Sequence, residues 1–297
     1  MLLPDTVQGC RTLERWIVIA NCQTLGLTNC LQLLNPGVKV EASDIWAFQN
    51  EAARDPAQWA ARAASYDCVL LSDEVTALGL VDFSTSPRVV RIPPIGFAGY
   101  HPDLCYVYDE GKAVQTPLND YHSIIAFAAF KLGLTEADAI ALYNARIFEA
   151  GGYLDMWAID KGHLFAHFDR YGYDMAAPFR QWAMRESFMF TLNHPRIECL
   201  YDLARVATTK AGRTPVDSPA RPHDNLRNAQ IFPVYPEIAE ACGVEGSTLF
   251  KVAGQYRLLP LQEFVHASFE AYRSHGAGAL DTTEQFKGRY DAILAAI

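Results

Sequence analysis

The segment from Arg15 to Leu34, RWIVIANCQTLGLTNCLQLL, constrains the fold more than any other stretch. Trp16 to Ala20 form a short continuous apolar run, the pattern of a strand covered on both faces of a parallel sheet. The run stops at Asn21-Cys22-Gln23. From Thr24 onward, apolar residues recur at spacings of three and four until Asn35-Pro36-Gly37, which predicts a helix packed on that sheet. In open α/β sheets ligands collect beyond the carboxyl ends of the strands, where a helix N-terminus adds amide donors and positive potential. Cys22 stands at such a point, so it is a candidate nucleophile as well as an ordinary small buried residue.

The next segments continue the pattern. Gly37 to Glu41 reads as a second strand, and Asp44 to Ser65 as one or two helices interrupted at Asp55-Pro56. Tyr66 to Ser72 is another apolar strand ending in polar residues, and Val89 to Ile92 is a fourth. The expected fold class is α/β, with a small, mostly parallel sheet of about four to five strands flanked by many helices. Ile95 to Tyr108 reads as a structured loop. Asp120 is expected to cap a helix ending at Gly133, and Thr135 to open another running to Ala150. Asp155 to Gln181 reads as helical, with breaks at Gly162, Gly172 and Pro178.

Ser187 to Leu192 is expected to be a late strand that returns His194 to the sheet, and Arg196 to Thr209 a helix. Lys210 to Asn228 is polar and proline-rich, a loop. A helix over Phe232 to Cys242, a turn or short strand at Gly246 to Lys251, and closing helices at Leu261 to Arg273 and Thr282 to Ala296 complete the chain. The whole, 1–297, is read as a single catalytic unit, an α/β core over 1–118 followed by a mainly helical part over 119–297.

Bulk properties exclude several classes. The 34 acidic residues outnumber 25 basic ones, giving a net charge of −9, and no basic run is present, so nucleic acid is not an expected partner. The seven cysteines are widely spaced and form no CxxC pair, which fits reduced thiols in the cytoplasm. No apolar stretch is long enough to span a membrane. His163 and His167 have the i,i+4 spacing of metal ligands but lack a following Glu and a third ligand, so no metal is expected.

Two groups could cooperate chemically. Cysteine is activated by a base, and His194 follows Thr191 at the spacing that SGNH hydrolases fill with Asp-x-x-His. The acid is missing here, which leaves a backbone carbonyl, Asp73 or Glu74 to orient the imidazole. Asn21, Gln23 and the amides of the following helix are candidate oxyanion donors, or simple caps of the turn.

The blocks Ala20-Asn21-Cys22-Gln23, Gly99-Tyr100-His101-Pro102-Asp103-Leu104, Tyr121-His122-Ser123, Asn193-His194-Pro195 and Gly246-Ser247 with Phe250-Lys251 resemble, in order and spacing, the WcbI-like family. That family resembles acetyltransferases of capsular and other surface polysaccharide biosynthesis, and the likeness spans roughly residues 15 to 255. It implies a coenzyme A-binding protein with acetyl-CoA as acyl donor and a carbohydrate or nucleotide-sugar as acceptor, on a mixed α/β fold with many helices, while the spacing at Thr191 to His194 makes the expected core SGNH-hydrolase-like. Cys22 and His194 would then sit near the thioester. Cys22 could accept the acyl group, or His194 could act alone by deprotonating the sugar hydroxyl. Ser247, Gln23 and Lys251 would meet the cofactor, Lys251 on a phosphate, while His101, His122, Ser123 and Asn193 would contact substrate. A thiol esterase and a non-catalytic coenzyme A- or glycan-binding module are the alternative functions.

Overall fold

The computed structural model describes residues 13–184, 186–275 and 278–297. Cys10 lies outside them. The chain divides into two compact units, one running to Ile92 and including Ala204–Pro222, the other comprising Pro93–Leu203 and His223–Ile297. Thirteen α-helices and a four-stranded parallel sheet are present among the described residues.

The first unit contains β1 (Glu14–Ala20), α1 (Thr24–Leu34), β2 (Val38–Asp44), α2 (Ile45–Arg54), α3 (Pro56–Ala64), β3 (Cys68–Leu71), α4 (Asp73–Ala77) and β4 (Val89–Arg91). The strand order is β2-β1-β3-β4, and every pairing is parallel. Central β1 buries residues 16–20 completely or nearly so, as its unbroken apolar run requires. On one face Ile17, Ile19, Val69 and Leu71 pack with Phe48, Trp59 and Phe83. The Asp55-Pro56 interruption divides the expected helical stretch in two: Asp55 ends α2, its side chain accepts from the Gln58 amide, and Pro56 opens α3.

The second unit contains β5 (Leu104–Cys105), β6 (Val107–Asp109), β7 (Lys112–Ala113), β8 (His122–Ser123), α5 (Ile124–Lys131), α6 (Glu136–Ala141), α7 (Ala145–Ala150), α8 (Met156–Arg170) and α9 (Ala176–Trp182). Helix α10 (Ile197–Lys210) follows, its last residues counted with the first unit. Then come α11 (Pro236–Cys242), β9 (Leu249–Lys251), β10 (Leu258–Pro260), α12 (Leu261–His275), β11 (Leu280–Thr282) and α13 (Glu284–Ala296).

Several expectations are corrected here. Residues 187–192 form no strand of the sheet. The chain reverses at Asn193-His194-Pro195 so soon that only a bridge between Met189 and Pro195 forms, and Pro195 has no N–H to extend a ladder. The stretch expected to be a loop contains β5 and β6. Ser123, not Asp120, caps α5, because pairing of β8 with β5 keeps His122 and Ser123 extended. The helix expected to reach Ala150 is broken after Ala141, where Asn144 caps a new one by accepting from the Ile147 amide at 3.2 Å. Gly162 does not break α8, since it faces solvent opposite Leu164 and Phe168.

Replacing Ile17 by Ala opens a cavity in the centre of the sheet core. The expected cost is about 2–5 kcal/mol, read as a lowered Tm and urea midpoint with the fold retained. An unchanged midpoint would contradict the central place given to β1.

Candidate functional site

In a sheet ordered β2-β1-β3-β4, the chain leaves β1 toward one edge and β3 toward the other. The carboxyl ends of β1 and β3 therefore form a topological switch point, where open α/β sheets make their ligand crevice. Cys22 follows β1 and Glu74 follows β3 at that place. The two ends are linked: Asn21 Nδ2 donates to Glu74 Oε1 at 3.1 Å, and Ser72 Oγ donates to Glu74 Oε2 at 3.2 Å.

With its amide nitrogen held there, Asn21 turns its oxygen inward. Oδ1 accepts the Gln23 N–H at 3.0 Å and lies 3.9 Å from Cys22 Sγ. Gln23 is buried at the N-cap of α1, a helix with no side-chain cap and no acidic residue in its first turn. Part of the expected oxyanion machinery is thus occupied by the turn itself, since the Thr24 amide also bonds the Asn21 carbonyl at 3.0 Å. Cys22 is half-buried beside this turn.

The remaining described thiols are less suited to nucleophilic chemistry. Cys30, Cys68, Cys105 and Cys199 are buried, and burial pushes Cys68 up to about 12 and half-buried Cys242 up to about 11. At pH 8 a thiol titrating near 11 is about one-thousandth thiolate. Iodoacetamide at pH 8 is expected to label Cys22 before these five others, as read by peptide mass spectrometry. Earlier labelling of Cys242 would remove the reason for singling out Cys22.

The second unit holds the candidate histidines, each in a different setting. The turn that carries His194 is closed by a bond from the Phe190 amide to the His194 carbonyl at 2.7 Å. Its imidazole is 6% exposed, and burial pulls it down to about 4, so it is neutral at pH 7. Nε2 lies 3.3 Å from the Tyr121 hydroxyl. That hydroxyl donates to Asn193 Oδ1 at 2.7 Å, and Thr191 Oγ1 lies 3.0 Å from the same oxygen. Thr191 therefore stands within the network, and Tyr121 is the group found beside the imidazole.

His122 is fully buried, with Nδ1 3.0 Å from the Tyr272 hydroxyl and Nε2 3.0 Å from the Val114 carbonyl. Ser123 caps α5 and bonds the Tyr143 hydroxyl at 2.6 Å. His101 lies buried edge-on against Tyr100 and Phe232. Ser247 accepts from the Leu249 amide at 3.0 Å. Lys251 Nζ donates to the Asn228 and Ala229 carbonyls at 3.2 and 2.9 Å, which uses two of its three N–H donors. The buried blocks are tightly made: a Cβ on Gly99 would stand 2.7 Å from the Trp157 Cα.

Two residues were not singled out from sequence as site candidates. Tyr121 precedes His122 in the Tyr-His-Ser block, and its aromatic type at a buried position reads as core. Asp103 is completely buried and accepts from the Ile125 amide and the Tyr153 hydroxyl at 3.0 Å and from the Tyr235 hydroxyl at 2.9 Å. Burial nevertheless pushes its carboxyl up to about 6.

Among the described residues, one trio has metal-ligand geometry: Glu136, His266 and Glu270. Arg273 already bonds both carboxylates, which opposes a second cation there. His163, from the pair considered earlier, lies 3.5 Å from Asp160. A cavity of about 170 Å³ in the second unit is lined by Phe97, Ala98, Asp160, Leu192 and Arg289, among others.

The model of the family described as polysaccharide biosynthesis enzyme WcbI matches residues 15–216. This chain belongs to that family. The match includes every candidate residue except Ser247 and Lys251, and so ends short of the expected limit near residue 255. A solved WcbI structure, described as a novel polysaccharide biosynthesis enzyme in its native form without a disulfide bond between coenzyme A and a cysteine, aligns with a TM-score of 0.66. Identity is 13%, and the alignment covers 96% of each chain. At that identity the likeness establishes the WcbI fold. No match was found among the curated proteins.

Stability should depend on pH with a definite sign. Burial pulls His101 down to about 3 and His122 and His194 down to about 4. The unfolded chain takes up these protons near pH 6.5 and the folded chain only below about 4, so stability falls as pH drops through that interval. Asp103 acts oppositely: its raised pKa contributes stability below about 4 that is lost as pH rises through about 6. The expected result is a Tm that decreases from pH 6.5 to 4.5, and more steeply in Asp103→Asn. A shallower slope in that variant would reverse the assignment.

Proposed function

We propose that this WcbI family member is a coenzyme A-dependent acyltransferase, moving an acetyl group from acetyl-CoA to a sugar hydroxyl in surface or capsular polysaccharide biosynthesis. The observation that carries the reading is the place of Cys22, half-buried at the switch point of the parallel sheet beside the start of α1. The structurally similar WcbI is described with coenzyme A and a cysteine together, which supports the same pairing here. The core is read as SGNH-hydrolase-like, with the nucleophile after β1 and His194 three residues beyond Thr191. The proposed location is the cytoplasm.

The residues at the switch point suit such a ligand. Helix α1 is eleven residues long, has no side-chain cap from Gln23 and no acid in its first turn, so its dipole favours a phosphate there, against the Glu74 carboxylate that Asn21 holds nearby. Bound acetyl-CoA would supply the activated acyl group and the thiolate leaving group. Cys22 then has the chemistry to attack the thioester carbon, with the Asn21 amide oxygen beside the sulfur to hold its proton beforehand. Neutral His194 has the chemistry to take the proton of the acceptor hydroxyl. In the first route the acyl group passes through the Cys22 sulfur. In the second the hydroxyl attacks directly and Cys22 shapes the pocket.

Coenzyme A at a hundred times its dissociation constant is expected to stabilise the protein by about 2.7 kcal/mol, read as a raised Tm. Cys22→Ser should abolish an acetyl-enzyme seen by intact mass spectrometry if the first route operates. No Tm shift with either coenzyme A or acetyl-CoA at millimolar concentration would sink the reading.

A further inference from the structure

His194 presents an asymmetric imidazole. On one side, Nε2 lies 3.3 Å from the Tyr121 hydroxyl. On the other, Nδ1 is shielded from solvent and has no hydrogen-bond partner among the described residues. A neutral imidazole carries a proton on one nitrogen and a bare lone pair on the other, and the neighbours of each nitrogen decide which.

The neighbours of Nε2 form a closed chain of donors. The Tyr121 hydroxyl donates its proton to Asn193 Oδ1 at 2.7 Å. Having donated there, the Tyr121 oxygen faces Nε2 as an acceptor. Nε2 must then carry the proton, since a bare lone pair would meet another lone pair. The ring plane is also held: Tyr121 lies edge-on to the imidazole at 83° with centroids 5.8 Å apart, and its other side stacks on Tyr106 at 5.8 Å.

We propose that Tyr121 is a positioning residue that fixes His194 in the Nε2–H tautomer and leaves the Nδ1 lone pair, shielded until a substrate displaces what covers it, as the proton acceptor for the acceptor hydroxyl. The inference deepens the acyltransferase reading and, for the identity of the hydroxyl, rests on it. In the step assigned to His194, the hydroxyl O–H bond breaks as the oxygen attacks the acyl carbon, and an N–H bond forms at Nδ1. The proton then goes to the departing thiolate, which restores the neutral ring. An SGNH-type site would work from Nε2, with a carboxylate three residues earlier holding Nδ1. Here Thr191 replaces that carboxylate, and the tyrosine holds the opposite nitrogen.

The test needs no substrate. Long-range ¹⁵N–¹H spectra of histidine-labelled protein at pH 7, with His194 assigned through His194→Gln, distinguish the two tautomers directly. The expected result is Nε2–H for His194, shifting to a mixture or to Nδ1–H in Tyr121→Phe, while His122 keeps its own pattern as a control for folding. A His194 in the Nδ1–H form, or one unaffected by Tyr121→Phe, overturns the proposal. Should Tyr121→Phe not fold, the wild-type spectrum still decides the tautomer, and Asn193→Ala, which frees the tyrosine proton to turn toward Nε2, should shift it. A protein that binds no coenzyme A would give the same spectra, so failure of the functional reading is seen separately. With turnover in hand, Tyr121→Phe should lower kcat about ten- to a hundredfold with little change in KM, and a change in KM alone would count against it.

Discussion

Parallel pairing of β1 on both of its edges is the constraint from which the candidate site follows. A strand bonded to β2 on one side and β3 on the other has its edges taken, and with helices over the sheet its side chains must be apolar on both faces. Parallel neighbours also demand crossover connections, so the chain leaves the carboxyl end of β1 into α1 and that of β3 into α4. Polar residues excluded from the strands gather where the strands end. Asn21, Cys22, Ser72 and Glu74 meet there because the apolar runs stop there, and their bonds to one another satisfy groups that the sheet leaves over.

The second unit handles polar groups in the opposite way, by enclosing them. Asp103, His101, His122 and Ser123 are buried, and Asp103, His122 and Ser123 bond hydroxyl or main-chain groups. A carboxyl with four neutral donors, the Ser123 hydroxyl among them, is tolerated inside, though it binds its proton more tightly than in water. His194 belongs to the same enclosed class and, like His101, has its Nδ1 left over. A core that satisfies most of its polar atoms makes such exceptions informative.

Legibility in the sequence followed the range of the interactions. The central strands of the parallel sheet could be read from Trp16 to Ala20 and Tyr66 to Ser72, because complete burial of β1 and β3 writes an unbroken apolar run, whereas β4, exposed at Val89 and Arg91, was read from its β-branched residues and the Pro93-Pro94 stop. Cys22 was legible for the same reason, as the first polar break after β1. Caps inside the second unit were misplaced: Asp120 offered the right side chain, but pairing of β8 with β5, seventeen or more residues away in sequence, held the next residues extended. The late strand failed because an apolar run does not reveal that Pro195 ends its pairing at once. Tyr121 could not be recognised as a neighbour of His194, since 73 residues separate them and a buried tyrosine has many uses.

The first unit is assembled from two distant parts of the chain. Asn35 Nδ2 bonds Thr208 Oγ1 at 3.0 Å across 173 residues, the Val216 amide bonds the Leu34 carbonyl at 2.9 Å, and Arg213 pairs with Glu14. During synthesis, therefore, the parallel sheet emerges complete in its strands but without the segment that secures the end of α1 and the start of β1. At ribosomal rates of about 5–20 residues per second, that interval lasts on the order of ten seconds. The nascent sheet spends that interval without the bonds to Asn35, Leu34 and Glu14.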